Sequence, residues 1–235
     1  MTSAEDYASV LANSALFQSV PADALDALTQ RAVVRRLRQG QILFTTNEPA
    51  AGMYVVLSGS VRAFRENVDG REQTIHVERA GGILAEVAVF DGGPYPSNAV
   101  ADEDSEVLFL AASDVLNFLA QYPQAALAAL AHMARKLRGV AALAEQLALK
   151  DVGQRLALLL LEKAGDTNGT MQDGASFSLP LSHSQLASRL GSVREVVTRA
   201  IHKLTHSGVI EVRGHRVVVR DIKALRAQAE NRALK

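Results

Sequence analysis

The sequence predicts an α+β chain: an N-terminal β jelly roll, one long helix, and a C-terminal winged helix-turn-helix. Three observations predict it. Short β-branched runs alternate with Gly, Asn and Asp from Val33 to Leu110. Apolar residues recur every seven positions from Leu130 to Leu147. Two short helical patterns flank a glycine between Leu179 and Leu204. The expected parts are residues 1–122, 123–150 and 151–235.

Taken in order, residues 1–30 read as helical. Ser3, Glu5 and Asp6 suit a helix start, and Pro21 opens a second helix with Leu25 and Leu28 on one face. Strands are then expected at Gln41–Phe44, Met53–Leu57, Ser60–Arg65, Gln73–Val77, Asn98–Ala101 and Val107–Leu110. Asp69-Gly70 between two such runs is a hairpin signal. Many short strands at this spacing point to a sandwich or barrel, here a jelly roll.

Ser113 and Asp114 open a short helix that ends near Tyr122-Pro123, and a long helix follows from about Gln124 to Lys150. Leu130, Leu137 and Ala144 lie seven apart, and so do Met133, Val140 and Leu147, three residues further on. That is the a/d seam of a coiled coil. It predicts a two-fold dimer; the alternative is a helix packed on its own barrel. Asp151-Val152 begins another helix, to about Lys163, and Gly165–Gly174 reads as a polar loop. After the helix-turn-helix, strands Val209–Arg213 and Arg216–Val219 flank a turn at Gly214-His215, as a two-stranded wing does.

The second helix of the turn motif sets Arg194, Glu195 and Arg199 on one side and Val193, Val197, Ile201 and Leu204 on the other. Arginine donates two bonds to guanine, and a carboxylate accepts from the cytosine amino group. This stripe is the candidate for reading bases in a DNA major groove. The alternative is a plain surface pair, since Glu195 and Arg199 are four apart. Ser182, His183, Ser184, Ser192, Thr198, Arg213, His215 and Arg216 are the candidates for phosphate contacts, which set register and salt dependence. Charge agrees: residues 151–235 carry 13 Lys and Arg against 8 Asp and Glu, while residues 1–150 carry 12 against 17.

Other functions are disfavoured. The chain has no cysteine, which removes disulfides, thiolate catalysis and cysteine-ligated clusters. Its six histidines form no His-x-His pair and no His-Glu-x-x-His, so no metal site is expected. No apolar run approaches the roughly 20 residues that span a bilayer, and no secretory signal is visible. A cytoplasmic protein without a membrane partner is expected. A cupin-like enzyme would need clustered His and Glu, but the barrel region has one histidine, His76. No catalytic residues are assigned.

Three further stretches carry a resemblance. They are Gly81-Gly-Ile-Leu-Ala-Glu-Val-Ala-Val-Phe90, Met133-Ala-Arg-Lys-Leu137, and Leu190-Gly-Ser-Val-Arg-Glu followed by Arg199. In this order around a heptad helix they resemble the catabolite-activator/fumarate-nitrate-regulator (CRP/FNR) superfamily of transcription factors over nearly the whole chain. The resemblance implies a cyclic-nucleotide-binding-like jelly roll, a dimerisation helix and a homodimer that binds double-stranded DNA. It implies that Arg194, Glu195 and Arg199 read a palindromic TGTGA-type site. The fumarate-nitrate branch has valine in place of Arg194 and prefers TTGAT; Thr198 is closer to the serine of that branch. RNA polymerase is the implied partner, through the loop Gly165–Gly174, and activation the implied outcome. The hinge falls near Lys150–Gly153.

In cAMP-binding relatives the cassette supplies a glutamate, an arginine and a serine, and the long helix a threonine and a serine. Here those positions hold Glu86, Pro96, Ser97, Val140 and Ala141. The missing arginine leaves a buried phosphate unpaired, which is costly. No cofactor is therefore expected, and cAMP is disfavoured. Glu86 reads as a relic bonded to amides of its own loop, the alternative being contact with a different small molecule. Haem stays open, with His76 or His132 as axial ligand, and with it a haem-bound gas as signal. His76 alternates with Ile75 and Val77 and is expected to face outward.

Overall fold

The computed structural model describes residues 4–18, 20–168 and 172–230. Ser3, the side chains of Glu5 and Asp6, and residues 169–171 of the polar loop lie outside this description. The chain forms two compact units, residues 1–65 with 74–141, and residues 66–73 with 142–235.

The first unit opens with helices α1 (Ala4–Ala12) and α2 (Ala22–Thr29). Strands follow as β1 (Val33–Leu37), β2 (Ile42–Phe44), β3 (Gly52–Ser58), β4 (Ser60–Glu66), β5 (Glu72–Arg79) and β6 (Ile83–Leu84). A short helix α3 (Glu86–Asp91) precedes β7 (Asn98–Ala101) and β8 (Ser105–Ala111). The strands make two four-stranded sheets, ordered β1-β8-β3-β6 and β2-β7-β4-β5, the expected β sandwich. Met53, Val55, Val61, Ala63, Leu108 and Leu110 are among the side chains that fill its core. In β3, Met53 to Val56 are all buried, because α1, α3 and the next helix, α4 (Ala112–Gln121), cover the strand. An apolar run without alternation is the signature of a strand covered on both faces.

Helix α5 (Pro123–Leu149) buries Ala125, Ala129 and His132. Those positions are spaced four and three apart, so they share one face. The seam positions face elsewhere: Leu130 is 67% exposed and Leu137 71%.

In the second unit, α6 (Val152–Asn168) runs further than the sequence predicts and takes up the start of the expected loop. Its first turn is fixed by Asp151 and Gln154. Gln154 N donates to Asp151 Oδ1 at 2.8 Å, and Asp151 N donates to Gln154 Oε1 at 2.9 Å. This reciprocal pair satisfies two amides that a helix start leaves open. Arg155 Nη1 donates to Lys150 O at 2.9 Å, closing the carboxyl end of α5.

Then come β9 (Ser176–Ser178), α7 (His183–Leu190), α8 (Arg194–His206), β10 (Ile210–Arg213), β11 (Arg216–Val219) and α9 (Ile222–Glu230). The wing is a three-stranded sheet, ordered β10-β11-β9, not the expected hairpin alone. Phe177 explains the third strand: β9 pairs with β11 and buries this ring in the core. Leu156, Leu160, Leu186, Val197, Leu204 and Leu225 hold the helices together.

Candidate functional site

The turn between α7 and α8 is built from local chemistry. Ser182 caps α7: its Oγ accepts from Gln185 N at 3.2 Å, while Ser182 N donates to Gln185 Oε1 at 2.8 Å. Gly191 ends α7 at φ 59°, in the left-handed region where a Cβ is penalised. Val197 and Leu204 then anchor α8 in the core at 0% and 4% exposure.

The remaining face of α8 is open. Arg194, Glu195 and Arg199 are all exposed, and none of them makes an ion pair among the described residues. The surface-pair alternative for Glu195 and Arg199 is therefore not realised. Arg194 and Glu195 lie in the first turn, and Arg199 about one turn later. The arrangement presents two guanidinium groups and a carboxylate to whatever lies against the helix.

The candidate phosphate contacts divide into two sets. Ser184 and His215 are exposed, and Ser192 is half-buried. The others are engaged within the unit. Ser182 is spent on the cap. His183 Nδ1 lies 2.8 Å from Thr198 Oγ1, which itself donates to Arg194 O at 2.9 Å. Arg216 Nε donates to Ser176 Oγ at 2.7 Å, and Arg213 pairs with Glu211, which also takes Arg220. Those two arginines hold the Glu211 carboxyl below its usual range.

In the first unit, a cavity of about 550 Å³ opens between the sandwich and α5. Glu86, Pro96, Ser97 and Val140 line it as positioned by the family resemblance; Ala141 is exposed and outside the lining. Glu86 is 1% exposed. Its main partners are side chains of α5, with its own backbone amide beside them, where bonding to amides of its own loop is expected. Lys136 Nζ lies 2.6 Å from Glu86 Oε1, and His132 Nε2 lies 3.3 Å from the same oxygen. Burial pushes the carboxyl up, but the His132 hydrogen bond and the Lys136 ammonium overcome it and hold it at about 2; its own amide adds a smaller share. An ionised carboxylate only accepts, so His132 donates through Nε2.

Lys136 also donates to Ile83 O at 2.8 Å and pairs with Glu78 Oε1 at 3.1 Å. His76 Nε2 stands 3.4 Å from the same nitrogen. The expectation that His76 faces outward is corrected: His76 and Glu78, two apart on β5, share the face turned towards α5. Lys136 is the reason, because it makes a polar face tolerable there. Burial first, then the charge of Lys136, lower His76 to about 4, so its ring is neutral. Burial raises Glu78 despite Lys136.

This cluster bears on haem. An axial imidazole needs a ring nitrogen directed at iron, but Nε2 of His132 is on Glu86 and Nε2 of His76 is beside Lys136. The histidines do not fit that role as placed. Among the described residues no group of three or more His, Asp or Glu is placed to hold a metal ion.

Lys136 and Glu78 escaped the sequence reading. The available signal was the stripe Ala125, Ala129, His132, Lys136, spaced four, three and four, beside the more conspicuous heptads. Arg65 escaped too: its Nη1 donates to Pro96 O at 2.6 Å and to Thr46 Oγ1 at 3.0 Å.

Comparison with known proteins matches a cyclic nucleotide-binding domain over residues 34–122 and a Crp-like helix-turn-helix domain over residues 154–228. The solved catabolite activator protein of Thermus thermophilus is 30% identical, with 94% of this chain and all of that chain covered, at a TM-score of 0.52. The chain belongs to the CRP/FNR family of transcriptional regulators.

The CRP-like cAMP-activated global transcriptional regulator of Mycobacterium tuberculosis is 28% identical, over 94% of this regulator and 98% of that protein. FixK2 from Bradyrhizobium japonicum is 25% identical, over 84% of this regulator and 96% of that chain, at a TM-score of 0.70. The regulator is thus a transcription factor with a helix-turn-helix DNA-binding domain, not an enzyme. Among the described residues no helix is long and apolar enough to cross a membrane.

Proposed function

We propose that the protein is a homodimeric, cytoplasmic transcriptional activator that reads a palindromic TGTGA-like site and does so without cAMP. Residues 1–122 serve as the sensor-type domain, 123–150 as the dimerisation helix and hinge, and 151–235 as the DNA-binding domain. The observation that carries the DNA reading is the open stripe of Arg194, Glu195 and Arg199, whose side chains have no ion-pair partner among the described residues. Bidentate arginine and an accepting carboxylate match guanine and cytosine edges.

Dimerisation is supported by the exposed apolar seam of α5. Leu130, Leu137 and Val140 are 67%, 71% and 49% exposed, with Leu147 further along, and such a seam is satisfied by a second copy. Met133 and Ala144 complete it. A dimer presents two α8 helices to successive major grooves about one helical turn apart.

Independence from cAMP is supported by the pocket. Pro96 replaces the phosphate-binding arginine, and Val140 offers the purine no hydrogen bond. The Mycobacterium tuberculosis relative is named for cAMP activation; here Pro96 and Val140 stand where the family resemblance places the cAMP-binding arginine and a helix hydroxyl. RNA polymerase is the partner through which activation proceeds, with residues 165–174 as the contact.

The test is an anisotropy titration of the ligand-free protein against a TGTGA-N6-TCACA duplex and a scrambled duplex, at two salt concentrations, with and without cAMP. Tight, specific binding without cAMP is expected. Binding that appears only with cAMP would overturn the effector reading. Equal binding to both duplexes would overturn the half-site.

A further inference from the structure

We infer that the cavity beneath α5 takes an uncharged, largely apolar small molecule, not an anion. The argument begins with the protons of Lys136. An ammonium has three. They are met by Glu86 Oε1 at 2.6 Å, Ile83 O at 2.8 Å and Glu78 Oε1 at 3.1 Å. Lys136 is the sole Lys or Arg among the lining residues. Arg65 stands outside the lining, with Nη1 on Thr46 and on the Pro96 carbonyl. An anion entering here would have to strip a donor from a buried carboxylate or carbonyl, and would meet Glu78 and Glu86 at close range. Like charge in a water-poor site is strongly disfavoured.

Apart from His76 and Ser97, the rest of the wall is apolar. Phe44, Ala63, Ile75, Leu84, Met133 and Leu137 supply much of it, and Ser97 supplies the lining's hydroxyl. A largely apolar wall with a small number of placed polar groups is the usual composition of a small-molecule site, and about 550 Å³ is within the usual range. The ligand is therefore an apolar body with a hydroxyl or carbonyl able to reach Ser97. The wall also says what such a ligand would do. Met133, Leu137 and Val140 belong both to the lining and to the seam proposed for the dimer. An occupant bears on the same side chains that a second copy of the chain would cover, and so biases the geometry of the pair.

This inference rests on the reading of residues 1–122 as the sensor-type domain of a DNA-binding regulator. Its test is therefore made without DNA, so that its failure and the failure of that reading are separable. Nile red, a neutral apolar fluorophore, is titrated into the full-length protein, with 1-decanol and cAMP as competitors. Expected is saturable binding of one dye per chain, displaced by decanol and untouched by millimolar cAMP. Ala63→Phe fills the cavity from β4, and Val87→Trp fills it from a half-buried position that tolerates bulk. Each should weaken dye binding about tenfold or more, while Leu127→Ala, on the exposed part of α5 outside the lining, should not. Displacement by cAMP, or binding indifferent to both filling substitutions, would overturn the proposal.

Discussion

Lys136 Nζ lies 2.6 Å from Glu86 Oε1, tying the middle of α5 to the first residue of α3. Side-chain exposure is 19% for the lysine and 2% for the glutamate, so water screens the pair little. Removing one partner of a buried pair costs about 3–5 kcal/mol when the other charge is left uncompensated; Lys136 keeps Glu78 at 3.1 Å, so the low end of that range applies to the loss of Glu86. Replacing both with apolar residues avoids that cost. Glu86→Ala is therefore expected to lower unfolding stability by about 3 kcal/mol. Glu86→Leu combined with Lys136→Met should be closer to the native protein than either single variant. Urea unfolding of the native protein, Glu86→Ala, the single variants Glu86→Leu and Lys136→Met, and the double variant checks this, and additive single effects would show that the pair is not coupled.

The same cluster makes stability depend on pH. His76 has its pKa lowered from 6.5 to about 4 by burial and by Lys136. Between those values the unfolded chain binds a proton that the folded chain does not, so stability falls as pH drops through this window. Glu86, held at about 2, loses its share lower still, from 4.5 downwards. Glu78 is displaced upward by burial and acts in the opposite sense. The urea midpoint of the native protein should fall faster between pH 6.5 and 4.5 than that of His76→Gln. Parallel curves would mean that His76 does not titrate as its surroundings imply.

The sequence pattern captured what depends on neighbours along the chain. Alternation and glycine breaks located β2, β3, β4, β5, β7 and β8, and the period of α8 separated Val197 and Leu204 from the exposed arginines. Strand β6 has two residues, too few to carry a period, and β9 has three, of which Phe177 alone is buried. Helix α3 was missed because it spans six residues and begins after a left-handed alanine, which no propensity favours. Helix α9 was missed although Ile222, Leu225 and Ala229 mark its buried face. The pocket was legible only in part. Glu86 and Lys136 are fifty residues apart, and pairing between them depends on how α5 lies on the sandwich. Local spacing holds no record of that.

Ala85 carries φ 68° immediately before Glu86. A left-handed conformation costs an L-residue roughly 1–2 kcal/mol, which glycine avoids. Ala85→Gly is expected to raise stability by about 1 kcal/mol, less whatever the loss of a buried methyl removes. Thermal unfolding measures it. A destabilised variant would mean that the methyl, 9% exposed at the cavity wall, contributes more through contacts than its backbone costs.

The two classes of proposed DNA contact should separate by their dependence on salt and sequence. The side chains of Arg194, Glu195 and Arg199 have no ion-pair partner to lose among the described residues, so truncation should leave the fold intact. Each alanine substitution should weaken binding to the TGTGA duplex by about 1–3 kcal/mol, and binding to the scrambled duplex far less for Glu195. Arg213→Ala should instead weaken both duplexes alike and reduce the salt slope by about one. Arg213 already pairs with Glu211, which Arg220 also holds, so Glu211 keeps a partner and the wing should survive the change. Anisotropy titrations across a salt series distinguish the outcomes. A Glu195→Ala variant that loses affinity equally for both duplexes would remove this glutamate from base reading and place α8 against the backbone instead.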